Sequence, residues 1–99
     1  MNDYLLLIHD DLPPGTTTAD EAWGAYFAKL RSAGVFDGGS SIGDGVCLSK
    51  SGQPPAIARH LTGFIRLRAA SLEAAKALVA GNPVYEAGGT VELRELPRD

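Results

Sequence analysis

Tyr4-Leu5-Leu6-Leu7-Ile8-His9, closed by Asp10-Asp11 and then by Pro13-Pro14, decides the fold. A dense apolar run of this length, ended by acids and prolines, reads as a β-strand and is too short for a helix. Residues 4, 6 and 8 are apolar, and so are residues 5 and 7. Both faces of the strand therefore require cover, which places it in the middle of a sheet.

Downstream, Thr18 followed by Glu21 has the form of a capping box, and Asp20 falls where the positive end of a helix dipole favours an acid. Trp23, Tyr26, Phe27, Leu30 and Ala33 then recur at helical spacing, with Lys29, Arg31 and Ser32 opposite, and Gly34 supplies a left-handed stop. A helix is predicted over residues 19–33, with Trp23, Tyr26 and Phe27 in the core. Glycines at 38, 39, 43 and 45 interrupt Val35-Phe36, Ile42 and Val46-Cys47-Leu48, which predicts bent or bulged strand pieces up to Lys50. Ser51-Gly52 and Pro54-Pro55 mark a turn. Leu61 to Arg68 reads as a strand with Thr62, Phe64, Arg66 and Arg68 turned away from Leu61, Ile65 and Leu67. Ser71 caps a second helix with Leu72, Ala75, Leu78 and Val79 as its buried stripe, Gly81 as its stop and Pro83 preventing continuation. Asn82, Tyr85 and Glu86 are read as a loop. Thr90 to Leu96 alternates as a last strand, with Thr90, Glu92 and Arg94 opposite Val91 and Leu93.

The order is the split βαβ arrangement of a ferredoxin-like α+β domain: an antiparallel sheet with two helices on one face. Its other face is not uniformly polar, since Phe64 shares its side with Arg66. A chain of 99 residues forms one domain, residues 1–99, and buries only about 64% of its surface on folding. A second copy packed sheet to sheet would cover that face and enclose a cavity, so a homodimer with a small-molecule site between the sheets is expected.

Three stretches resemble the YCII-related family: Tyr4-Leu5-Leu6-Leu7-Ile8-His9-Asp10, Leu30-Arg31-Ser32-Ala33-Gly34-Val35 and Gly89-Thr90-Val91-Glu92-Leu93-Arg94-Glu95-Leu96. Leu61-Thr62-Gly63-Phe64-Ile65, Ser71-Leu72-Glu73-Ala74-Ala75 and Gly81-Asn82-Pro83 are similar to its second half, so the resemblance spans nearly the whole chain. It implies a dimeric α+β barrel and, for some members, a pocket chemistry built on a histidine of the first helix with a nearby aspartate. Residues 19–33 contain no histidine, and the Asp-Gly-Pro-Phe motif of one large branch is absent.

A net charge of −3 with scattered basic residues gives no phosphate-tracking stripe, so no nucleic-acid partner is expected. The single Cys47 cannot form an internal disulfide, the start lacks a signal peptide, and the longest apolar run, Leu5 to Ile8, is far too short to span a bilayer. A cytoplasmic protein without membrane contact is expected, and Cys47, between Val46 and Leu48, reads as a buried spacer. No phosphate loop, dinucleotide fingerprint, metal-ligand pair or nucleophile elbow occurs, so no cofactor or metal is expected.

His9 and His60 are the candidate acid and base. Histidine suits proton transfer near neutral pH, His9 precedes two aspartates, and His60 opens a strand on the side of Thr62 and Phe64. Each also has a plain reading, as a strand-end residue bonded locally or facing water. Asp37 and Ser40 flank small residues whose backbone amides suit an anionic group, although Asp-Gly-Gly is equally turn chemistry. Phe64, Arg66, Glu92 and Arg94, with Arg68, share the second sheet face as a cavity lining or as interface ion pairs. Two functions remain open: cofactor-free acid–base chemistry of the lyase or isomerase kind, and a non-catalytic metabolite-binding or protein-interaction module.

Overall fold

The computed structural model describes residues 1–98. Strand β1 (Asn2–His9) lies between β3 (Leu61–Ala69) and β4 (Val91–Leu96), and β2 (Phe36–Ser41) extends the sheet beyond β3. Every neighbouring pair is antiparallel, in the order β2-β3-β1-β4. The doubly apolar run is thus a central strand. Tyr4, Leu6 and Ile8 are buried, with Leu6 at 0% exposure, whereas Leu5 and Leu7 on the other face stay half-buried. Helices α1 (Asp20–Ser32), α2 (Leu72–Ala77) and α3 (Pro83–Glu86) supply Tyr26, Leu30, Ala75 and Val84 to the core that Leu6, Ile65 and Leu67 build from the sheet.

Helix α1 ends where Gly34 takes φ +71°. Val35 N–H donates to the Leu30 carbonyl and Gly34 N–H to that of Arg31, at 3.2 and 3.0 Å. This is a Schellman ending, fastened by the contact of two buried apolar residues, Leu30 and Val35. Its start differs from expectation. Ala19 is the N-cap, with no side-chain capping bond, because the Thr18 hydroxyl is engaged by the Trp23 indole N–H at 3.0 Å.

Three further readings are corrected. Residues 82–86 are not a loop: the Asn82 side chain accepts from Val84 and Tyr85 N–H, and Pro83 at the first helical position starts α3. Val46-Cys47-Leu48 forms no strand, because nothing pairs with it, and Cys47 is half-buried rather than buried. Leu72, expected in the buried stripe of α2, is 50% exposed because the six-residue helix places only Ala75 against the core. The predicted irregularity of β2 is present as a register shift between Phe36 and Gly39 against β3.

Residues 42–60 contain no helix or strand. Gly45 approaches the Ile57 side chain, so the two limbs of this segment lie side by side, yet Val46 and Leu48 are 77% and 90% exposed. The chain is correspondingly flat, at 47 × 42 × 19 Å. Its radius of gyration of 15.1 Å exceeds the roughly 13 Å of a compact chain this long.

Tyr26 joins α1 to the α2–α3 corner, donating its hydroxyl to the Leu78 carbonyl at 2.8 Å beside the buried Asn82 amide. Burial pushes its phenol up to about 12, from an ordinary 10.0. The unfolded chain ionises first, so the stability this group contributes is complete below pH 10 and is lost as pH rises through 12. Titrating tyrosinate absorbance against Tyr26→Phe should therefore show no Tyr26 ionisation until about 12 or until cooperative unfolding. A wild-type curve exceeding that of the variant by one phenol near pH 10 would contradict this burial.

Candidate functional site

The end of β1 is pinned on both sides. His9 N–H donates to the Thr90 carbonyl at 3.0 Å, and Asp10 N–H to the His60 carbonyl at 2.7 Å. The β1–β3 register shifts between Ile8 and His9, a bulge that re-aims the histidine where the strand would otherwise simply end. Asp11 clamps the same corner, its carboxylate accepting from both the Thr90 N–H and the Thr90 hydroxyl, which holds its pKa below the usual carboxylate value.

Register then assembles a cluster from distant parts of the chain. Glu92 lies opposite Leu7, two residues before His9, and its Oε1 is 3.0 Å from His9 Nε2. Arg94 holds the other carboxylate oxygen at 3.4 Å. The His60 ring meets that of His9 edge-on, with centroids 4.9 Å apart. An ionised carboxylate only accepts, so a neutral His9 bonded to it carries its proton on Nε2 and leaves Nδ1 as the basic nitrogen.

His9 also lines a cleft of about 570 Å³ on the helix side of the sheet. Its walls explain why it is hollow. Gly39 and Gly63 lie on the same sheet face as Ile65, where neither offers a side chain, and above them α1 presents Trp23 and Phe27. Trp23 stacks on Phe27 with centroids 5.7 Å apart, and Phe27 meets Phe36 at 5.5 Å. Gly39 is irreplaceable by geometry, since a Cβ there would stand 2.5 Å from the Phe64 carbonyl oxygen.

Of the residues singled out from sequence, His9, Ser40 and Phe64 border this cleft, although by register Ser40 and Phe64 pair on the opposite sheet face from Gly39 and Ile65. Glu92, Arg94 and His60 adjoin it through His9. Asp37 and Arg66 stand apart in an ion cluster with Arg68, whose guanidinium donates to Asp37 at 2.9 Å while Arg66 lies 3.9 Å away. Arg68 holds the Asp37 carboxyl below the usual range. Sequence reasoning missed Trp23 and Phe27 as lining residues, having assigned their stripe wholly to the core, and it missed Arg31. The model of the YCII-related domain matches residues 4–98. The chain belongs to the YCII-related family. No curated protein matches it. In this YCII-related chain the imidazole beside the cleft comes from the end of β1, since α1 has no histidine. Among the described residues no group of three His, Cys, Asp or Glu side chains could hold a metal ion, and no helix is long and apolar enough to cross a membrane.

Proposed function

We propose that the protein acts as a homodimer that binds a small organic molecule in the cleft beneath α1, on the opposite face from the inter-sheet site expected from the sequence, and moves a proton on it without a cofactor, as lyases and isomerases do. His9 carries this reading: it lines the aromatic-walled cleft where β1 ends, while its ring is bonded to Glu92 of the opposite sheet face. His9 Nδ1 takes a proton from an acidic C–H bond of the substrate, Glu92 stabilises the imidazolium, and the same nitrogen returns the proton to another atom of the substrate. Arg94 orients Glu92, and His60 is the second titratable ring. A cleft of this size matches those that enclose small ligands.

Surface area supports the dimer. The chain exposes 6553 Å², against roughly 5,400 Å² for a compact monomer of its mass, an excess of about 1,100 Å² where a stable interface takes about 800 Å² per partner. The bare Val46 and Leu48 and the outer stripe of Leu5, Leu7 and Phe64 are the surfaces that a second copy would cover. Asp37, Arg66, Glu92 and Arg94 border that stripe with both signs of charge, as a self-complementary face requires. Asp37 and Arg66 thus act at the interface rather than at the reacting atoms.

Solvent-deuterium exchange into a panel of enolisable keto acids, followed by NMR, tests the chemistry. His9→Gln should slow any exchange the protein catalyses by about 10²–10⁴-fold. Glu92→Gln should slow it less, by disturbing the tautomer while leaving the ring. Exchange unaffected by His9→Gln would remove the histidine from the mechanism. Binding without any exchange would leave a metabolite-binding module.

A further inference from the structure

Arg31 belongs to the polar side of α1 by spacing, yet it lies against the cleft, with its guanidinium 5.1 Å from the Phe36 ring centroid and 5.9 Å from that of Phe27. Stacking on two rings orients a planar cation and leaves its N–H edges free. Among the described residues it has no carboxylate partner, whereas Arg66, Arg68, Arg94 and Arg98 each have one.

Three other side-chain donors of the lining are committed, which leaves the Thr18 and Ser41 hydroxyls as the neutral ones without an acceptor among the described residues. Trp23 Nε1 donates to Thr18, Ser40 Oγ to the Ser41 carbonyl at 2.9 Å, and Thr62 Oγ1 to the Ile8 carbonyl at 3.3 Å. A ligand polar group entering the cleft therefore meets one cationic donor, Arg31, beside two neutral hydroxyls. The remaining surface is aromatic above, with glycine backbone, Ile8 and Ile65 below, an apolar slot that suits a flat molecule.

We infer that the cleft selects a planar aromatic or unsaturated carboxylate, whose ring lies between Trp23 and the Gly39–Gly63 floor and whose carboxylate takes a forked hydrogen-bonded contact with Arg31. This rests on the reading of the cleft as the ligand site. Arg31 is then the specificity residue, because a carboxylate gives the guanidinium a charge-assisted, forked partner that a neutral analogue cannot supply. Arg31 stands in the last turn of α1 with its side chain at the surface, so replacing it removes no core contact.

Benzoate and benzamide, of nearly equal size and shape, separate charge from fit, and Trp23, the only tryptophan of the chain, reports occupancy by its fluorescence. Wild-type protein should bind benzoate at least about tenfold more tightly than benzamide. Arg31→Gln should bring the two within about threefold by weakening benzoate alone, and Arg31→Lys should keep part of the preference. Equal affinities in the wild type, or a preference surviving Arg31→Gln, would overturn the assignment while leaving the cleft a ligand site. Failure of both compounds to alter Trp23 emission at millimolar concentration would overturn the assignment and the cleft reading together.

Discussion

Leu7→Asp should convert a particle of about twice the chain mass into one of 10.4 kDa while the secondary structure persists. Leu7 sits between Phe64 on β3 and Glu92 on β4, at the centre of the face turned away from the helices. In a single chain that position is half-buried, so a carboxylate there still reaches water and leaves the fold intact. Between two sheets it would lie close to its own symmetry copy and to both Glu92 side chains. An uncompensated charge buried in that way costs on the order of 3–5 kcal/mol, a factor of roughly 10²–10⁴ in the dimer dissociation constant. Sedimentation equilibrium at tens of micromolar reads it directly. Wild-type protein already at 10.4 kDa would refute the paired-sheet arrangement, and with it the explanation of the bare Val46 and Leu48.

Gly39→Ala should destabilise the domain by about 1–3 kcal/mol and empty the cleft. The added methyl would stand 2.5 Å from the Phe64 carbonyl oxygen and 3.1 Å from the Ile65 Cα, both backbone atoms that cannot swing aside. Either β2 peels from β3 or the strands shift, and in both cases Ser40 and Phe36 leave the cleft wall. Thermal unfolding should fall by about 4–8 °C per kcal/mol for a chain of this size. Gly38→Ala is the control of opposite kind: open space surrounds that Cβ, so its cost comes only from the backbone at φ +97°. A Gly39→Ala protein as stable as the wild type would show that the β2–β3 approach is looser than described.

The fold was legible where one residue pattern had one physical solution. Tyr4 to Ile8 is a dense apolar run, and it forms the central strand, with Tyr4, Leu6 and Ile8 buried under the helices and Leu5 and Leu7 half-buried on the other face. Ser71 was readable as a cap because its hydroxyl has few other uses there, and it does accept from Ala74 N–H at 3.1 Å. Thr18 failed as a cap because a competing donor, the Trp23 indole, lay within reach of the same oxygen. Asn82-Pro83 carried a helix-start signal as well as a helix-stop signal, and only the stop was read. Val46-Cys47-Leu48 has local strand character, but a strand exists only with a partner to pair with.

The site was half legible for a related reason. His9 and Glu92 stand out as chemical groups, yet their bond joins residues 83 apart and follows from the β1–β4 register, which no local signal fixes. The cleft depends on two glycines from different strands arriving on the same face beneath one aromatic stripe. Trp23 and Phe27 at helical spacing looked like core because that spacing is the same whether the space below is filled or open. Arg31 is exposed, as its place opposite the apolar stripe implies, and what the spacing does not show is that its guanidinium comes to lie beside the Phe27 and Phe36 rings.

Everything functional turns on whether the His9–Glu92 pair and the Trp23-walled cleft form one site. Crystals of the protein soaked with a library of small organic fragments test it most directly. Fragments should cluster between Trp23 and the Gly39–Gly63 floor, with a polar atom within hydrogen-bond reach of His9 Nδ1. Fragments confined to the outer sheet face near Arg66, or a cleft left empty while His9 turns away from Glu92, would contradict the account.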